Sequence, residues 1–434
     1  CADDWGEPKG GYIFDGVDDT ITVAYNPIYE VGTNNFSMEV IARVDKVNIT
    51  TGFIGKYQNS ATANFLLNIT TDNNLYFSLR DTSGNVNAGN VSAQVTLGKK
   101  FHYMAVKNNG VLYQYFNGVL VQTEDISSIL DLTNTSAIFR IPRNPTLGKT
   151  QVYLARLFNR ALSQSEVIAL YNNGLSGVNA LPYADMGANN TEKISGSWLN
   201  DYSTTWDSFV SSDSTGFVAS SSTLENPRTK IVAEIITGKK YKITFNANII
   251  NCDAQLNGFS MDYNGLNIIN DGVYLITGGA NSIEFVATNS LGGAIGGIMI
   301  TITATGAPSL TITDFSIIQI GCIAEYLPEN AGRLGWIETQ NGLHGQTSGS
   351  PICKTAEEKV QTYKDIKLSV TGNTTLTSAI PKSKLLKQII IENTTANAYV
   401  LNIGSSTSGG TDVVNDSNII SSGITTITVN RVFS

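Results

Sequence analysis

The chain reads as all-β: tandem antiparallel β-sandwiches with a small C-terminal β domain. Three observations carry this. Short runs alternating between apolar and polar residues recur along most of the length. Turn-forming residues punctuate them, with 40 Gly in 434 residues and abundant Asn, Ser and Thr. A helical pattern is clear in one place, between Leu154 and Gly174. The length exceeds what one core holds, and 41% hydrophobic against 15% charged residues marks a folded protein.

Residues 1–10 are a lead-in, with Trp5 expected against the first sandwich. From Tyr12 to Arg156 strands alternate with turn signals at Thr33-Asn34-Asn35, Thr71-Asp72-Asn73-Asn74, Ser83-Gly84-Asn85, Asn108-Asn109-Gly110 and Asn117-Gly118. Asn-Gly between alternating strands predicts a tight hairpin, since both central positions want positive φ. Tyr153, Ala155 and Leu157 alternate with Val152, Leu154 and Arg156, as in a strand with two different faces. Ser163 with Glu166 is a capping box, Val167, Leu170 and Tyr171 follow at helical spacing, and Asn172-Asn173-Gly174 is the expected stop. This capped helix closes the first domain, residues 1–176.

That closing text, ARLFNRALSQSEVIALYNNG, resembles the last strand and helix of laminin-G/concanavalin-A-like jelly-roll domains. Gly11-Tyr12-Ile13-Phe14-Asp15-Gly16 is similar to the family's opening strand, and Phe36-Ser37-Met38-Glu39-Val40 to its second. Phe101–Val106 followed by Val111–Gly118 is similar to its central hairpin. The resemblance covers roughly residues 8–176 and implies a two-sheet jelly roll. It implies little about function, because such sandwiches host many unrelated sites.

Residues 177–196 read as a linker. A second β-rich block, residues 197–321, has core signals at Tyr241–Ala247, Gly272–Ile276, Ser282–Val286 and Leu310–Ile317. Their order is similar to family 4/9-type carbohydrate-binding modules, implying a second jelly roll. Residues 322–365 show neither period and read as another linker, with a short helix expected over Thr355–Thr362. This stretch resembles connecting segments in tail-fibre and appendage proteins of phages. Residues 366–434 read as a small β domain, with Ile366, Leu368 and Val370 alternating with Lys367 and Ser369 and further strands at Leu385–Ile391, Tyr399–Ile403 and Ile424–Val432.

The candidate chemistry is sparse. The net charge of −8 argues against a nucleic-acid partner, and no apolar run of eighteen residues predicts a transmembrane helix. Four cysteines without CxxC spacing argue against zinc. Cys322 and Cys353 are either a disulfide or, the blander reading, two free thiols. No nucleophile elbow or phosphate loop occurs, and His102 in its strand reads as structural. A retaining glycosidase on a concanavalin-A-like scaffold needs two close carboxylates. Here Glu39 stands alone in its strand and Glu124-Asp125 ends a hairpin, so no catalytic residue and no enzyme is expected. Asp15, Asp18 and Asp19 suit either a calcium loop or, more simply, an Asx-type turn. Asp314 stands where the resemblance implies a structural calcium ligand; no other cofactor is implied. Trp198, Tyr202 and Trp206 are the candidate carbohydrate-binding platform, weighed against a role in covering the sandwich core.

The resemblances together imply a non-enzymatic structural virion protein: a phage tail or head fibre or appendage subunit. Its partners would be a host surface glycan or receptor and other virion proteins, as a homotrimer or other multivalent assembly on the virion surface. The alternative is a bacterial glycan-binding lipoprotein, lipidated at Cys1 and held on the bacterial outer surface.

Overall fold

The structure is a computed structural model. It describes residues 11–58, 62, 64–87, 89, 91–175, 180–200, 205–223, 226–259, 265–266, 274–288, 297–332, 335–349 and 351–354, and the C-terminal strands 385–393, 399–403, 414–419 and 423–432. Two compact units divide the chain, residues 1–360 and 361–434. The expectations for Trp5, Tyr202 and a helix over Thr355–Thr362 fall outside the described residues. Among those described, no helix is long and apolar enough to cross a membrane.

The N-terminal sandwich has a nine-stranded and an eight-stranded antiparallel sheet. Through the middle of the first run Val111–Phe116, Lys100–Asn108, Phe36–Val44 and Thr150–Phe158, each paired with the next. The hairpin expected at Asn109-Gly110 forms, with φ of 46° and 81°; Asn117 and Gly118 repeat the geometry at 51° and 75°. The sheets enclose a core containing Phe14, Phe36, Phe53, Phe65, Phe77 and Tyr103.

Strand Thr150–Phe158 departs from the alternation expected of it, because all nine residues are buried. One face, with Val152 and Leu157, enters the sandwich core. The other, with Leu154 and Phe158, lies in the apolar clusters shared with the helix Gln164–Leu175. A bulge at Tyr153 shifts the register between these faces. The capping box forms, Ser163 N–H donating to Glu166 Oε2 at 2.8 Å. The helix does not stop at Asn172-Asn173-Gly174. It continues to Leu175, whose side chain packs with Tyr153 and Leu154, so an apolar contact outweighs the local stop signal.

The reading of residues 322–365 as a linker is corrected over Cys322–Lys354, which return to the N-terminal sandwich. Cys322–Gly332 pairs with Thr150–Phe158, Gln346–Ser348 with Thr20–Val23, and Ile352–Lys354 with Gly11–Phe14. Trp336 is fully buried between Tyr12 and Tyr326. The second sandwich is thus an insertion in a discontinuous first one.

The inserted sandwich is one nine-stranded sheet folded over on itself. Its spine is the long antiparallel pair Lys240–Phe259 and Gly297–Gln319. Both halves of each strand enter one core: Ile243 and Leu256, Ile300 and Ile317. A corner must lie between the halves, and it falls at Asn251 (φ 55°), beside a bulge and opposite Gly306. A Cβ on Gly306 would lie 3.3 Å from that of Asn251, so glycine allows the close approach.

In the second unit, Leu385–Asn393 pairs with Gly423–Val432, and Tyr399–Ile403 with Val414–Ile419. Three of the strands expected there are present, while the alternating run at 366–370 lies outside the described residues.

Candidate functional site

A cleft of about 470 Å³ opens where three separated segments meet: residues 26–28, 189–191 and 341–343. Asn26 caps a short 3-10 turn, its Oδ1 accepting the Ile28 N–H at 3.0 Å. Asn190, in the left-handed region at φ 54°, donates from Nδ2 to the Ile28 carbonyl at 2.9 Å. Its Oδ1 accepts from Asn159, whose own Oδ1 accepts the Gly321 N–H at 2.7 Å. Asn341 spends both Nδ2 hydrogens on the Ala188 and Ile323 carbonyls, each at 2.9 Å. The Leu343 carbonyl accepts from Tyr326 Oη at 2.6 Å, and Tyr326 meets Tyr29 beneath. Among the described residues no ionisable side chain lines the cleft, so those residues can exchange hydrogen bonds with a ligand but offer no counter-charge. None of these asparagines stood out in the sequence. The only signal was the adjacency Asn189-Asn190-Thr191, which reads equally as turn text.

The aromatic platform expected of Trp198 and Trp206 is corrected, for both are core residues. Trp198 is 2% exposed, packed on Phe217 at 5.0 Å and edge-on to Phe315 at 4.9 Å. Its Nε1 donates to the Ser214 carbonyl at 3.1 Å. Trp206 is 3% exposed. Stacking a pyranose needs an open ring face, which neither indole has. Asp314 is exposed at φ 57°, accepting at Oδ2 from Asn246 Nδ2 at 2.8 Å. No cluster of potential metal ligands includes it among the described residues. The one such cluster is Asp15, Asp18 and Asp19, whose ligand atoms lie within 4.8 Å of one another. Its oxygens also cap backbone, Asp19 Oδ2 accepting the Asp15 N–H and Asp15 Oδ1 the Val17 N–H, as an Asx-type turn requires.

Four charged or polar side chains form a buried row across the outer face of the larger sheet. His102 Nε2 contacts Glu39 Oε1 at 3.1 Å, Arg156 Nη1 donates to Glu39 Oε2 at 3.1 Å, and Arg156 Nε donates to Glu325 Oε1 at 2.8 Å. Burial pushes the Glu39 carboxyl up, but Arg156 and the His102 bond outweigh it and hold the group below its ordinary value. Glu338 accepts backbone N–H groups of Glu325, Gln340, Asn341 and Leu343, which shapes the 341–343 wall of the cleft. Arg160 clamps Asp185 and Glu166 together at 2.7–3.0 Å. Burial opposes ionisation of Glu166, yet Arg160 and Ser163 bring its carboxyl down to about 2. Each of these acids is engaged structurally. Cys322 is a free, fully buried thiol, pushed well up by burial, that donates to the Ala324 carbonyl at 3.1 Å. The disulfide alternative for Cys322 and Cys353 is therefore set aside in favour of the free thiol.

Residues 15–168 match the family model of the concanavalin A-like lectin/glucanases superfamily. No curated protein matches the chain. Among solved structures, the binding domain of Paraclostridial mosquitocidal protein 1 is 15% identical, covering 50% of this chain and 53% of that one, with a TM-score of 0.31. The chain thus spans about half the length of that relative. The heptameric SAP-like pentraxin from Limulus polyphemus is 12% identical over 38% of this chain and 83% of that one, TM-score 0.29. Domain 4 of AbnA, a GH43 extracellular arabinanase from Geobacillus stearothermophilus in complex with arabinotriose, is 20% identical over 32% and 67%, TM-score 0.26.

Proposed function

We propose that this chain is a non-enzymatic glycan-binding protein, a fibre or appendage subunit on the surface of a phage virion. The observation that carries the binding reading is the match of residues 15–168 to a family named for lectins and glucanases. The non-enzymatic half of the reading is supported by how three glutamates of this sandwich are used. Glu39 and Glu325 flank Arg156 in the buried row, and Glu338 holds four backbone N–H groups. A glycosidase needs two carboxylates open to the scissile bond. The virion context rests only on the resemblance of the 322–365 text to segments beside laminin-G-like modules in phage appendages, although Cys322–Lys354 are strands of the sandwich here. A multivalent assembly is the form that weak single-site affinity favours. One lectin-like site commonly reaches only about millimolar Kd, near −4 kcal/mol, which several copies raise by roughly 10²–10⁴ in avidity.

The test is a glycan array probed with the full chain, paired with light scattering and intact mass. Glycan binding by a trimer or larger oligomer, without turnover of the bound sugar, supports the reading. Release of reducing ends would sink the non-enzymatic half. A monomer carrying several hundred extra daltons on Cys1 would move the protein to a bacterial outer surface.

A further inference from the structure

We infer that the cleft between residues 26–28, 189–191 and 341–343 is the sugar site of this chain, and that it takes an uncharged saccharide. The inference rests on the glycan-binding reading above. At about 470 Å³ the cleft falls within the range of about 300–1,000 Å³ typical of small-ligand sites. Its chemistry is selective. The lining is amide, hydroxyl and apolar, with no ionisable group among the described residues, so an acidic sugar would lose water without gaining a counter-charge from them. Neutral hydroxyls are donor and acceptor at once, and side-chain amides present both functions in one plane.

The walls are also fixed before a ligand arrives. Asn26 uses Oδ1 on the Ile28 N–H, and Asn189 uses Oδ1 on the Thr191 N–H at 3.2 Å. Asn341 uses both hydrogens of Nδ2. What each keeps for a ligand is its other end: a donor on Asn26, a donor on Asn189 and an acceptor on Asn341. Anchoring one end of each amide lowers the ordering cost of binding. Pro27 and half-buried Leu343 add apolar surface for the C–H face of a sugar ring. Two of the three walls lie outside the family-matched residues 15–168, so the site depends on the segments either side of the inserted sandwich.

The experiment uses the full chain on an array of neutral hexose and N-acetylhexosamine oligosaccharides beside sialylated and uronic-acid-bearing ones. The best neutral binder is then titrated against wild type, Asn26→Asp and Asn189→Asp. Aspartate keeps the capping oxygen and exchanges the free donor for a carboxylate oxygen, so the fold is retained while the contact is lost. Each substitution is expected to weaken binding about tenfold or more, the equivalent of one buried hydrogen bond. Hydrogen exchange, which needs no variant, is expected to slow over 186–193 and 339–345 when the sugar is added. If glycans bind but neither variant changes affinity and neither segment is protected, the site assignment is wrong while glycan binding stands. A preference for the acidic sugars overturns the ligand class. Binding to nothing on the array overturns the glycan-binding reading, and this inference with it.

Discussion

Arg156 sits between Glu39 and Glu325, and the three side chains are 2%, 1% and 6% exposed. Taking the guanidinium from such a set leaves two buried carboxylates without the charge that balances them. Arg156→Met is therefore expected to cost about 3–5 kcal/mol, read as a lowered midpoint in denaturant unfolding. A loss under about 1 kcal/mol would mean that the row contributes little. Glu166 makes a second prediction, in pH. Its folded value of about 2 lies below the ordinary 4.5. Its stabilisation is therefore present above about pH 4.5 and is lost as pH falls toward 2. Glu166→Gln should flatten the fall in urea midpoint over that window, and an unchanged slope would remove Glu166 from the acid response. How much of this was legible differs by residue. Ser163 with Glu166 lies within one turn, and the capping box was read directly. Asn109-Gly110 was read equally well, because positive φ is a local demand. Glu39, Arg156 and Glu325 were not joined, since 117 and 169 positions separate the bonded pairs and pairing across strands leaves no local pattern. The cleft asparagines were missed for the same reason, and Trp198 and Trp206 show the converse error. A tryptophan in polar text looks exposed until the partner strands supply Phe217 and Phe315.

Among the elements, the helix and the hairpin at Asn109-Gly110 declared themselves, whereas Cys322–Lys354 did not. A segment shows period 2 only if one of its faces meets water. Cys322–Tyr326 is buried on every residue, Pro328 and Gly332 interrupt the run, and the register slips between Tyr326 and Ala331. Such text reads as linker although it edges the larger sheet. The consequence is testable. A fragment ending at Leu175 contains the family-matched residues but leaves Ala155–Phe158 paired on one side only and removes Trp336 from the core. It is expected to lack near-UV circular dichroism and to aggregate, whereas a fragment covering residues 11–354 unfolds cooperatively. Within the full chain, Trp336→Ala is expected to cost about 3–5 kcal/mol, measured by denaturant unfolding. A soluble, cooperatively folding 11–175 fragment would show that the return strands merely decorate a complete sandwich.

For the whole molecule, charge and ligand chemistry point the same way. The chain carries a net charge of −8, so long-range electrostatics would repel sialylated or uronic-acid surfaces rather than gather them. A site without ionisable groups escapes that penalty if its sugar is neutral. Affinity then depends on hydrogen bonds and apolar contact, which salt screens little, whereas attraction between exposed charges fades once the Debye length shrinks from about 10 Å at 0.1 M to about 3 Å at 1 M ionic strength. Binding of a neutral oligosaccharide to the full chain should therefore change less than about threefold between 0.1 and 1 M salt. It should also hold steady from about pH 5 to 8, since none of the cleft's lining groups titrates there. The measurement is a calorimetric titration in sodium chloride at both strengths. A tenfold loss at high salt would reveal an ionic contact outside the amide cleft, and with it a ligand or a docking face of opposite charge.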